Sequence, residues 1–127
     1  MSTYGGGTVF TDSVVFVDVA AGGTGVLYSV PTGDYYAELS VYSLYAISLI
    51  TGGTGLDVFI EADNGSGGYA RKAVADFSHS SGLAATNYTY IGLTYKLLPG
   101  ERIIVQNGYA VGTARVRGQV NLFTPST

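Results

Sequence analysis

Residues Leu56 to Asp63 put Leu56, Val58, Ile60 and Ala62 on one side of the chain and Asp57, Glu61 and Asp63 on the other; only Phe59 is out of step. A repeat of two belongs to an extended strand, whose side chains alternate between faces, and a helical period cannot sort these residues. The run near the end repeats the pattern. Ala114, Val116, Val120 and Leu122 alternate with Thr113, Arg115, Arg117, Gln119 and Asn121, which places both arginines on one exposed face. Similar stretches rich in Val, Ile, Thr, Tyr and Phe occupy Val14 to Val19, Val26 to Val30, Tyr35 to Ile50, Tyr69 to Phe77, Tyr88 to Leu98 and Arg102 to Gln106. Divided at a bend or bulge in the long central run, they amount to roughly eight or nine strands.

The segments between them carry turn chemistry. Asn64-Gly65-Ser66-Gly67-Gly68 can supply the positive φ angles of a tight hairpin, and Pro31-Thr32-Gly33 and Pro99-Gly100 combine a preset φ with a left-handed position. Gly22-Gly23-Thr24-Gly25 recurs as Gly52-Gly53-Thr54-Gly55, each time before an apolar strand, and reads as two similar turns. With 127 residues and 46% hydrophobic content there is enough chain for one ordinary core, so the expectation is a single domain over residues 1–127. Its fold is expected to be all-β: a single antiparallel β-sandwich, jelly-roll-like, of about eight strands, with a closed barrel as the alternative. Leu56, Val58, Ile60, Ile103, Val105, Val116, Val120 and Leu122 are expected in the core.

Several function classes fall away. Zero cysteines exclude a disulfide framework and a thiolate zinc site. Six basic against nine acidic residues, a net charge of −3, argue against nucleic acid and anionic membrane as partners, both of which need clustered Lys and Arg. No apolar stretch reaches the ~18 residues of a spanning helix, and Met1 to Gly7 lacks the features of a signal peptide. His79, in Ser78-His79-Ser80-Ser81-Gly82, reads as an exposed loop residue, without a nucleophile motif or a second metal-ligating imidazole. Glu38, Asp57, Glu61, Asp63 and Glu101 could supply a carboxylate pair for glycoside hydrolysis, but Asp57, Glu61 and Asp63 read better as the wet side of a strand. Asp63-Asn64-Gly65-Ser66 lacks the acidic spacing of a calcium loop, and no glycine-rich segment has a Walker lysine. The expectation is a protein that is not an enzyme and has no cofactor or metal.

Eleven tyrosines are too many for one small core. Tyrosine buries a large ring and keeps a hydroxyl for bonding, so exposed ones serve either sugar stacking or the centre of a protein interface. In Tyr35 to Ile50 the odd positions carry Tyr35, Ala37, Leu39, Val41, Tyr45, Ile47 and Leu49, yet the even ones carry Tyr36, Tyr42, Leu44 and Ile50. A strand apolar on both faces is covered on both, and the second cover is read as another copy of the chain. Tyr36, Tyr42, Leu44, Ile50, Tyr88 and Tyr90 are therefore the expected oligomer interface. Residues 1–12 and 124–127, glycine-rich and polar, are expected as terminal arms docked on neighbouring subunits, because such ends fray unless held.

Gly25-Val26-Leu27-Tyr28-Ser29-Val30-Pro31-Thr32-Gly33-Asp34-Tyr35-Tyr36-Ala37, Leu97-Leu98-Pro99-Gly100-Glu101-Arg102-Ile103 and the close Gly118 to Phe123 resemble small virion structural proteins of tailed bacteriophages. In those, a Y-x-V-P-x-G strand entry and a later L-x-P-G-x-x-I entry frame a β-sandwich. The resemblance covers about half the chain, and Pro31-Thr32-Gly33-Asp34 departs from the usual Pro-Ala-Gly-Lys. It implies a non-enzymatic, homo-oligomeric virion component, a trimer, partnered with the major capsid protein as capsid decoration or cement. The alternative it implies is a tail or head fibre module that recognises host surface carbohydrate.

Overall fold

The computed structural model describes residues 3–4, 7–33, 35–72 and 77–125. Among them the alternating runs become ten strands: β1 (Thr3–Tyr4), β2 (Gly7–Ala20), β3 (Thr24–Ser29), β4 (Tyr36–Ala46), β5 (Gly55–Asp63), β6 (Tyr69–Arg71), β7 (Phe77–His79), β8 (Tyr88–Leu97), β9 (Arg102–Gly108) and β10 (Thr113–Pro125). One sheet has the order β1-β2-β10-β4-β8; the other has β3-β9-β5-β6, with β7 also pairing β5. Every pairing is antiparallel. From β2 to β5 and again from β7 to β10 the chain changes sheet at each connection, which is the jelly-roll form of the β-sandwich. The single strand expected over Tyr69 to Phe77 is instead two short ones, β6 and β7, each held separately against β5.

Part of the two ends is paired within the chain. Gly7 to Asp12 continue β2, and they pair with Asn121 to Pro125 of β10 in the same chain, Asp12 opposite Asn121 and Gly7 opposite Pro125. Backbone groups that must be satisfied somewhere are satisfied by each other, so this part of both segments belongs to the first sheet. Residues 1–2, 5–6 and 126–127 lie outside the described residues.

All eight residues expected in the core are buried between the sheets. They meet Leu27, Ala37, Leu39, Val41, Leu44, Ala46, Tyr95 and Leu97 from the other strands. Phe59, out of step in the sequence, points to the outer face of the second sheet, where the Arg71 guanidinium lies 4.2 Å from its ring centre and covers it. The turn at 64–68 is the expected hairpin. Asp63 Oδ1 accepts from Gly65 N at 2.7 Å, Asn64 Oδ1 from Ser66 N at 2.8 Å, and Gly65 and Gly67 take φ of 80° and 83°.

One polar residue is built into the interior. Asn107, fully buried on the inward face of β9, donates from Nδ2 to Val19 O at 2.9 Å and Gly112 O at 3.2 Å, and its Oδ1 accepts from Tyr109 N at 2.9 Å. Its backbone also holds Gly22 N and Gly23 O. The two similar Gly-Gly-Thr-Gly turns flank this point: the first bonds Asn107, and Thr54 N of the second donates to Gly108 O at 2.8 Å. Each turn then feeds a strand, β3 or β5, that pairs with β9 from opposite sides.

Candidate functional site

Strand β4, between β10 and β8, changes face partway. Ala37, Leu39 and Val41 point inward, then the inward positions become Leu44 and Ala46. The register slips here against both neighbours, between Arg117 and Gly118 on β10 and between Val41 and Ser43 on β4. This β-bulge at Tyr42 shifts the parity of every later residue. A strand that reads as apolar on both sides therefore has one inward face, and no second subunit is needed to cover it. The expectation for Leu44 and Ile50 is corrected accordingly. Both are wholly buried in the core of their own chain, Leu44 through the bulge and Ile50 through a bridge to Leu83.

What the bulge turns outward is aromatic. Across the outer face of the first sheet, register aligns two rows: Phe16, Arg117, Ser43 and Tyr90, and beside it Asp18, Arg115, Tyr45 and Tyr88. With Tyr42, the residues of β10, β4 and β8 in these rows line a groove of about 460 Å³. Tyr88 and Tyr90 stand 72% and 77% exposed, and Val14 and Phe16 are exposed on the far side of the same face. Tyr90 lies along β8, over the space where Gly92 has no side chain: a Cβ there would come within 2.7 Å of the tyrosine ring. Strand β8 is also the last of its sheet, with one row of backbone groups unpaired by any strand among the described residues.

The two arginines differ in their surroundings. Arg115 forks onto Asp18, Nε to Oδ1 at 2.7 Å and a terminal nitrogen to Oδ2 at 3.0 Å, with the Phe16 ring 4.7 Å beneath it. The hydrogen bond from Arg115 holds the Asp18 carboxyl below the ordinary carboxylate range. The folded value being depressed, this pair supports the fold above the unfolded value and stops doing so as pH falls through the folded one. A carboxyl-detected NMR titration is expected to find the Asp18 midpoint below 3.8, returning towards it in Arg115→Gln. Arg117 is exposed, 5.8 Å from the Tyr42 ring centre, with no ion pair to a carboxylate among the described residues.

Of the residues expected at an interface, Tyr42, Tyr88 and Tyr90 come together here. Tyr36 does not. It sits at the other end of β4, stacked on Phe123 with centroids 5.0 Å apart and the Lys96 ammonium 5.3 Å from its ring. Tyr45, Ser43, Arg115 and Arg117 belong to the groove and were not joined to the tyrosines by sequence reasoning. Alternation marks the arginines and the β8 tyrosines as outward, but which strands lie side by side is a long-range fact.

The other chemically suggestive groups are tied into the scaffold. His79 is not in a loop but ends β7, half-buried, with Nδ1 3.1 Å from the Tyr109 hydroxyl. That hydroxyl has Ser81 O at 2.7 Å and His79 O at 3.1 Å to receive its proton, so His79 Nδ1 acts as donor to it. Burial pushes the Tyr109 hydroxyl pKa upward, which keeps it protonated for this task. Asp57 pairs with Arg71 at 2.9 Å, Glu61 with Arg102 at 2.7 Å, and buried Glu101 with Lys72 at 2.6 Å and Leu98 N at 2.8 Å. Among the described residues, no group of three or more His, Cys, Asp or Glu is arranged to hold a metal ion.

No family model and no curated protein matches this chain. Among solved structures it is similar to the disulfide-linked pili of Bacillus endospore appendages, at 17% identity and TM-score 0.45 over 99% of this chain and 98% of that one. It is also similar to the Eiger TNF of S. frugiperda, at 13% identity and TM-score 0.40 over 94% of each chain. Likenesses at this level carry no functional argument.

Proposed function

We propose that this chain is a non-enzymatic structural protein of a bacteriophage virion, a homotrimer that decorates and cements the head shell through the major capsid protein. The observation that carries the assembly reading is the edge of β8. Strand β8 pairs only β4 among the described residues, and its other edge, with two largely exposed tyrosines near its start, is a surface that soluble chains ordinarily cover or charge; Lys96 is its one charged residue. A second copy meeting this edge covers the outer sides of Tyr88 and Tyr90 and leaves the groove floor over β4 and β10 open. The phage setting and the trimeric number rest on the resemblance of the Pro-Gly strand entries.

Sedimentation velocity at micromolar concentration is expected to show a trimer, reduced to a monomer by the double exchange Tyr88→Ser, Tyr90→Ser with an unchanged melting temperature. A biological contact is expected to bury more than ~1,000 Å². A monomeric parent protein would overturn the assembly reading, and absence of the chain from the head surface in cryo-EM of particles would overturn the capsid reading.

A second reading is favoured by the groove itself: a fibre-type module recognising host surface carbohydrate. Its volume of about 460 Å³ falls in the range of small-ligand sites, and tyrosines with convergent polar groups are what sugar sites use.

A further inference from the structure

Four of the described cations pair with acids: Arg71 with Asp57, Lys72 with Glu101, Arg102 with Glu61 and Arg115 with Asp18. Lys96 lies beside the Tyr36 ring, at the far end of β4 from the groove. Arg117 has no carboxylate within ion-pair reach among the described residues, although it is exposed in the middle of the groove, and no carboxylate lines that groove. A guanidinium is a planar fork of donors suited to gripping a carboxylate through two parallel bonds. Around it, Tyr42, Tyr45 and Tyr90 offer ring faces for the C–H side of a pyranose, and Ser43 and the tyrosine hydroxyls offer partners for its hydroxyls.

Resting on the carbohydrate reading above, we infer that this groove takes a carboxylate-bearing saccharide, with Arg117 holding the carboxylate and Tyr42 and Tyr90 holding the sugar ring. Charge separates this occupant from its rivals. A neutral sugar offers Arg117 no counter-charge, and the groove lining of a second copy carries no carboxylate to supply one. Arg115 is already neutralised by Asp18, so a single carboxylate suffices.

The test titrates the full chain with trigalacturonate and, separately, with neutral maltotriose, by calorimetry and by amide NMR shifts of residues 42–45, 88–92 and 115–117. Trigalacturonate is expected to bind about tenfold more tightly, the worth of a charge-assisted pair. Arg117→Gln is expected to abolish that preference while leaving maltotriose unaffected, and Arg117→Lys to restore part of it. Tyr90→Ala is expected to weaken both sugars. Equal affinities, or a preference that survives Arg117→Gln, would overturn the carboxylate assignment and leave the carbohydrate reading standing. If neither sugar shifts these amides at millimolar concentration, both fall; if the amides of residues 42–45 and 115–117, on the groove floor, move on dilution of the protein alone, the groove belongs to a contact between copies and the inference is overturned.

Discussion

Asn107→Ala is expected to destabilise the protein by about 3–5 kcal/mol, read from urea unfolding. The side chain is wholly buried, and its loss strands three backbone groups at once: Val19 O, Gly112 O and Tyr109 N. Each buried group left without a partner costs about 1–3 kcal/mol, and an alanine-sized void leaves little room for water to replace them. Asn107→Asp separates polarity from size. It keeps an acceptor for Tyr109 N but sets a negative oxygen against two carbonyls, so it is expected to be no better tolerated than alanine. A loss under ~1 kcal/mol in either variant would mean that the three segments are held by something other than this amide.

Leu44→Ala is expected to cost about 2–5 kcal/mol, the range for truncating a packed aliphatic side chain. Its sedimentation is expected to remain that of the parent. Read from sequence parity, Leu44 is an interface residue, and the same exchange would then weaken association with little effect on the fold. The structure gives it zero exposure between the sheets, beside Leu39 and Val41 of its own strand. Loss of assembly without loss of stability in this variant would overturn that placement.

The contrast between those two expectations for Leu44 shows where sequence reasoning reaches and where it stops. Within one strand, side-chain alternation is a local rule. It located the inward residues of β5 and β10 and the inward pair Ile103 and Val105 of β9, and the Asn-Gly chemistry of 64–68 located a hairpin. A bulge is a relation between strands. The length of Tyr35 to Ile50 calls for a bend or bulge, but nothing around Tyr42 announces that it falls there, so every inference drawn from parity beyond it, including the covered second face, was inverted. The groove fails to appear for the same reason. Phe16, Arg117, Ser43 and Tyr90 are neighbours because four strands take one register, and no window along the chain contains them together.

The pairing of β2 with β10 sets an order of events for folding. β10 lies between β2 and β4, so the first sheet has no centre until this strand, about a hundred residues after β2, is available. Until then β2 can reach only the two-residue β1 within its sheet, and it carries the apolar residues Val14, Val15, Phe16 and Val17 with its edge unsatisfied. Closing a loop of that length costs entropy before any contact repays it, which slows the step. A chain released through β9 but not β10 can therefore pair β3, β5 and β9, and β4 with β8, while the first sheet still lacks the strand that joins β2 to β4.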